Sequence, residues 1–267
     1  MPITEVILKD VPELVSWALA QTPTKQFWFR GQGCETQGLV PSLWRRLSPK
    51  PLDLTAVPAS RVLEVEQRLL TRFRQRSLPY WPAGYPQSDW EHLFAMQHYG
   101  LPTRLLDWTT NLLVGVYFAL DHDPTRCACG TGKCMPTLWM LDPILLNQSN
   151  PRFDGIPVNI LATSDDVLDP WQPGVDPGTL GPAPIALYGT HNSDRIAAQQ
   201  GSFTVAGKTI EPLDVIVADI PDVLKKISLS ADRKTLGAQL SLMGVTQSTI
   251  YPGLAQLAQD IALEEID

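Results

Sequence analysis

Three short polar stretches hold the residue types that could do chemistry. F-W-F-R-G-Q, Phe27 to Gln32, sets Arg30 behind a run of aromatics and directly before Gly31. A guanidinium in that setting is either a buried salt-bridge partner or a hook for an anion, because its desolvation must be offset by a carboxylate or an anionic ligand. The second stretch, H-Y-G-L-P-T-R-L-L-D-W, gathers His98, Thr103, Arg104 and Asp107 across a helix-to-loop-to-helix transition, a place where binding groups are commonly mounted. His98 either answers the carbonyls at its helix end or contacts a ligand, and its charge switches near neutral pH. Asp107 has two competing partners, Arg104 and Arg30. The third stretch, N-S-D-R-I-A-A-Q-Q-G-S-F-T-V, offers Asp194, Arg195, Gln199 and Gln200 ahead of a glycine turn. Its plainer reading is a helix end and turn in which Arg195 pairs with an acid.

A fourth cluster has metal-binding chemistry. Cys127, Cys129 and Cys134 fall within C-A-C-G-T-G-K-C, while Cys34 stands alone in the sequence. With His122 as a fourth ligand, the three thiols would form a closed Cys3His zinc site of structural type. The alternative is a set of reduced surface thiols, since four cysteines are too few and too local for a secreted disulfide framework.

The elements that must position these groups are legible in outline. Val11 to Gln21 has helical spacing after Asp10 as a cap. A strand follows through Phe27–Arg30. Ser60 caps a helix running to about Ser77, with Val62, Val65, Leu69, Leu70 and Phe73 on its apolar face and Glu64, Arg68, Arg72 and Arg76 as a solvated i, i+4 ladder. Ser88-Asp89 opens a helix that Gly100 ends and Pro102 keeps from resuming. Asp107 to Thr110 provide acceptors for the next helix, N-L-L-V-G-V-Y-F-A-L. T-L-W-M-L and L-D-V-I-V-A-D-I read as strands, and two helices close the chain, around Ala231 to Met243 and around Gly253 to Leu263.

The 267 residues are 44% hydrophobic and 18% charged, a globular composition. Without repeats or a linker between two cores, they read as a single α+β domain whose sheet is mixed and mainly antiparallel. The net charge of -7 argues against a protein that grips nucleic acid through an overall positive field. No apolar run reaches the roughly 18 residues a membrane span needs, and no signal core follows the N-terminus, so the expectation is a cytoplasmic protein without a membrane partner. Of the 24 prolines, many crowd between Pro143 and Pro184, which predicts a long irregular excursion.

Taken in order, F-W-F-R-G-Q, then Q-H-Y-G-L-P-T-R-L-L-D-W-T-T-N-L-L-V-G-V-Y-F-A-L, then D-R-I-A-A-Q-Q-G-S-F-T-V closely resemble the FRG domain family, named for its Phe-Arg-Gly motif. The resemblance runs from about residue 25 to 254 of a single domain spanning 1–267, with the late T-I-Y-P-G-L similar to the family's closing motif. Segments of about 122–136 and 142–185 look like variable insertions. The order of elements also resembles, more distantly, the ADP-ribosyltransferase fold.

That second resemblance implies NAD as substrate. It places Arg30, Gly31, Thr103, Arg104, Asp107 and Arg195 on the NAD side, with Gly31 letting the ligand approach the backbone. Asp194, Gln199 and His98 are the implied catalytic groups, an acid being needed to stabilise the oxocarbenium-like sugar left when nicotinamide departs. The third stretch lacks the Glu-x-Glu of the enzymes it resembles, and its nearest acid, Asp194, is one methylene shorter. The implied activity is ADP-ribosyl transfer to a protein or nucleic-acid acceptor, as in a bacterial toxin or phage-defence effector with an antitoxin or regulatory partner. Two alternatives are a non-catalytic nucleotide-binding module, and a nucleic-acid enzyme using His98 and the arginine stripe of the Ser60 helix.

Overall fold

The computed structural model describes residues 3–21, 25–81, 84–121, 129, 134–189 and 198–266. Its seven strands form one open sheet in the order β1-β7-β4-β2-β3-β6-β5, comprising β1 (Thr4–Leu8), β2 (Trp28–Gln32), β3 (Leu105–Thr109), β4 (Thr137–Leu141), β5 (Ile185–Tyr188), β6 (Gly201–Val205) and β7 (Leu224–Leu229). Among the described strands β1 and β7 pair in parallel and the other neighbours run antiparallel, as the sequence reading expects. The interior strand β4 is buried along its whole length, with Trp139 and Leu141 in one apolar cluster and Leu138 and Met140 in another. That alternation is the period of 2 of a strand with a packed layer on each face.

The helices are α1 (Val11–Ala20), α2 (Ser42–Leu47), α3 (Ala59–Ser77), α4 (Asp89–His98), α5 (Leu112–Leu120), α6 (Pro143–Gln148), α7 (Leu213–Ile216), α8 (Arg233–Leu242), α9 (Gln247–Ile250) and α10 (Leu254–Ile266). Several begin and end for the reasons the sequence offers. Asp10 accepts from the Glu13 amide to cap α1. Ser88 and Glu91 form a reciprocal capping box on α4. Gly100, at φ +78°, takes the left-handed turn beyond that helix. No helix among the described residues is long and apolar enough to cross a membrane.

Four local expectations are corrected. L-D-V-I-V-A-D-I is not a strand: Pro212 starts the short helix α7, and the buried pair Leu213 and Val217 stands at i, i+4. The strand of that region is β7, which its two lysines disguise; Lys226 lies over the Trp139 ring and pairs with Glu5 of the edge strand β1. Ser60 is inside the first turn of α3 and not its cap, a position held by Pro58. Asp107 lies within β3, and it is Asn111 that caps α5 by accepting from the Leu113 and Val114 amides. The proline-rich excursion is not irregular throughout, since it contains α6 and turns at Pro151–Phe153 and Asp166–Trp171.

Helix α3 fastens the sheet through a charged pair. Glu66 points inward among apolar neighbours, 0% exposed, and its Oε1 accepts from Arg104 Nε at 3.0 Å. Burial pushes the Glu66 carboxyl above its ordinary range, and Arg104 opposes that shift. The exposed face of α3 bears the ion pairs of its ladder, Glu64 meeting both Arg61 and Arg68.

Candidate functional site

Strands β2 and β3 are hydrogen-bonded neighbours only at Phe29 and Thr109. Beyond that pair they separate, whereas β2 stays in register with β4 for five residues and β3 with β6 for five. The parting opens a cleft of about 280 Å³, lined by Arg30 and Gly31 from β2, Asp107 to Thr109 from β3, Gln97 and His98 from α4, Phe118 and Asp121 at the end of α5, and Gln199 with Gly201 to Phe203. The cleft thus collects residues from each of the three polar stretches of the sequence.

Arg30 is its central cation. Its Nη1 donates to the Asp107 carbonyl at 2.8 Å and lies 3.7 Å from the Asp107 carboxylate. Nε is buried and has no hydrogen-bond partner among the described residues. Asp107 satisfies only part of a five-donor fork, which leaves a hydrogen-bonding deficit that an anionic ligand would fill. Burial holds the guanidinium below its ordinary range and Asp107 offsets part of that. A second arginine stands near. Arg45 of α2 donates to the Val40 carbonyl at 2.8 Å, and its guanidinium is pulled down first by desolvation and then by the like charge of Arg30. Nothing in S-L-W-R-R-L marked Arg45 beforehand.

Asp107 is held by a relay from beneath the cleft. Thr103 Oγ1 donates to Gln97 Oε1 at 2.5 Å, and Gln97 Nε2 donates to Asp107 Oδ2 at 2.6 Å. Thr103 is fully buried, so it orients the cleft without lining it. Gln97 went unread in the sequence although it directly precedes His98; a threonine in the following loop and an amide six residues before it become partners only when the loop folds back. Arg104 is corrected outright. Its guanidinium is 1% exposed, bound to Glu66 and to the carbonyls of Ala206 and Trp171, and does not line the cleft.

Gly31 also has a different reason from the one expected. A Cβ there would stand 2.1 Å from the Gly115 carbonyl and 2.3 Å from the Ala119 amide. The glycine of Phe-Arg-Gly therefore lets α5 lie directly on β2, and Gly115 answers it from the helix, where a Cβ would meet Leu138 at 2.7 Å. Because the obstructing atoms at Gly31 are backbone, Gly31→Ala is expected to cost about 3 kcal/mol, the upper end for overpacking. Urea denaturation against the parent protein checks it; an unchanged midpoint would show that α5 can move off the strand.

On the far wall, Gln199 Nε2 donates to the Ile250 carbonyl at 3.2 Å, which brings the late T-I-Y-P-G-L stretch to the cleft. Tyr251 of that stretch packs edge-on against Phe118. Gln200 holds φ +48°, uncommon for a side-chain-bearing residue, and Thr110 bonds both its carbonyl and its side-chain oxygen. His98 is on the cleft wall, its ring edge-on to Tyr99. Asp194 and Arg195 lie outside the described residues, as do His122 and Cys127. Ser202, Phe203 and Asp121 are cleft residues the sequence did not single out, being spaced like ordinary strand and helix positions.

An α+β protein with one mainly antiparallel sheet, opened at an arginine-bearing central strand, is the class defined by this architecture. Residues 25–126 match the family model of the FRG domain, a segment that includes Arg30, Gln97, His98, Asp107 and Asp121. No curated protein and no solved structure matches the chain.

Proposed function

We propose that the cleft between β2 and β3 binds NAD as substrate and that the protein transfers ADP-ribose from it to a protein or nucleic-acid acceptor. The observation that carries this reading is the partly satisfied Arg30 fork at the strand parting, with Arg45 nearby and a single close carboxylate opposite. The donor set suits phosphate: the planar Arg30 guanidinium offers bidentate bonds from a side chain only 18% exposed, and Arg45 adds positive charge close by. Asp107, its side chain 55% exposed and steadied by Gln97 and Thr103, is placed to accept from ribose hydroxyls. Phe118 offers an apolar edge to a ring, and His98 also lines the cleft. Asp107 and Asp121 are the carboxylates lining the cleft among the described residues, and Asp194 remains the acid expected from the third stretch. The setting of a toxin or phage-defence effector rests on the family resemblance and belongs to this proposal.

Gln199 has its amide nitrogen committed to Ile250, which favours a second reading in which the cleft binds the nucleotide and signals its presence without turnover. Incubation with NAD, with and without candidate acceptors, separates the two by free nicotinamide. Release above the no-protein control is the expected result, and tight NAD binding with no release under any acceptor would reject the transferase reading while keeping the site.

A further inference from the structure

The chain has a second chemical centre at the end of the strand pair that carries Arg30. Gln32 of β2 is opposite Thr137 of β4, so the antiparallel register carried two residues past β2 sets Cys34 against residue 135, beside Cys134. A tie between the Met135 amide and Glu35 Oε2, 2.7 Å, closes the two chain ends. Cys129 joins them from the insertion. The three sulfurs all lie within 4.8 Å of one another, with Cys129 and Cys134 at 3.1 Å. Cys34, which the sequence left isolated, is completely buried and its sulfur is 3.1 Å from the Thr36 hydroxyl.

We infer that Cys34, Cys129 and Cys134 bind a zinc ion that ties Cys129 and Cys134 to the chain just beyond β2. A tetrahedral zinc with Zn–S bonds of about 2.3 Å sets its sulfurs about 3.8 Å apart. The Cys129–Cys134 separation of 3.1 Å is about 0.7 Å under that edge and the other two lie within 4.8 Å, so movements of about an ångström or less close the set. Binding converts the three thiols to thiolates and passes their protons to solvent, and no redox partner is required. The Thr36 hydroxyl supplies a hydrogen bond to the Cys34 sulfur, the kind of outer support that orients a metal ligand. Softness selects the metal: three thiolates favour zinc over magnesium or calcium. The set differs from the one the sequence alone suggested by including Cys34, and it depends on none of the residues assigned to NAD.

The test is metal analysis of the full chain produced in zinc-supplemented medium and purified without chelator. About one zinc per chain is expected for a site of this kind. Chelation should lower the unfolding midpoint, with recovery on adding zinc back. Cys34→Ser and, separately, Cys134→Ala should each lose bound zinc, and chelator-stripped parent protein serves the same purpose if either variant fails to fold. The inference is overturned if the parent protein holds no zinc, if Cys34→Ser retains it, or if alkylation and mass spectrometry find Cys129 and Cys134 joined as a disulfide in the native protein.

Discussion

Arg30→Ala is expected to weaken NAD binding about a hundredfold, with the fold retained. Two charge-assisted hydrogen bonds to phosphate, each contributing about 1.5 kcal/mol net, sum to about 3 kcal/mol, or two decades in Kd. The folded protein loses the Nη1 bond to the Asp107 carbonyl and is relieved of the unpartnered Nε, so its stability should change by no more than about 1 kcal/mol. Arg30→Lys keeps the charge without the fork and should fall between parent and alanine. Titration calorimetry with NAD, beside urea denaturation of each variant, reads both quantities. A variant that simply unfolds would make Arg30 a core ion-pair residue, and an unchanged Kd would remove it from the site.

Arg104 gives the opposite pattern. Arg104→Met leaves Glu66 as an uncompensated buried carboxylate and frees two carbonyls, and breaking such a pair costs about 3–5 kcal/mol. Glu66→Leu combined with Arg104→Met replaces the pair by apolar volume and should recover much of that loss, because both desolvation penalties vanish together. Urea midpoints of the two single variants and the double variant form a cycle that isolates the pair. If Arg104→Met were as stable as the parent but lost NAD binding, the arginine would belong with the ligand after all.

Arg30 and Arg104 show how far residue type alone reaches. Each follows the same logic in the sequence, an arginine close to a glycine or a turn with an acid within reach. Their different fates depend on Glu66, which sits 38 residues before Arg104 on a face of α3 that reads as apolar. A single carboxylate at the inward position of an amphipathic helix is unremarkable in the pattern until its partner is known. Gly31 teaches a similar lesson, since a glycine beside a candidate ligand arginine suggests access to the ligand, and only the packing of α5 reveals that the space is taken by another backbone.

By itself, the sequence determined what is local or periodic. The caps at Asp10 and Ser88, the glycine stop at Gly100, the amphipathic helices, the buried strand T-L-W-M-L and the α+β class all follow from side-chain hydrogen bonds and hydrophobic spacing within a few residues. It also carried, in its motifs, the resemblance that the FRG-domain match over residues 25–126 bears out, and it pointed to the three stretches that meet at one cleft. Tertiary structure decided the rest. The strand parting at Phe29 and Thr109, the withdrawal of Arg104 to Glu66, the relay from Thr103 through Gln97 to Asp107, and the meeting of Cys34 with Cys129 and Cys134 are contacts between distant segments. Such contacts are fixed by register and packing, and a linear pattern has no term for how far apart two strands finally stand.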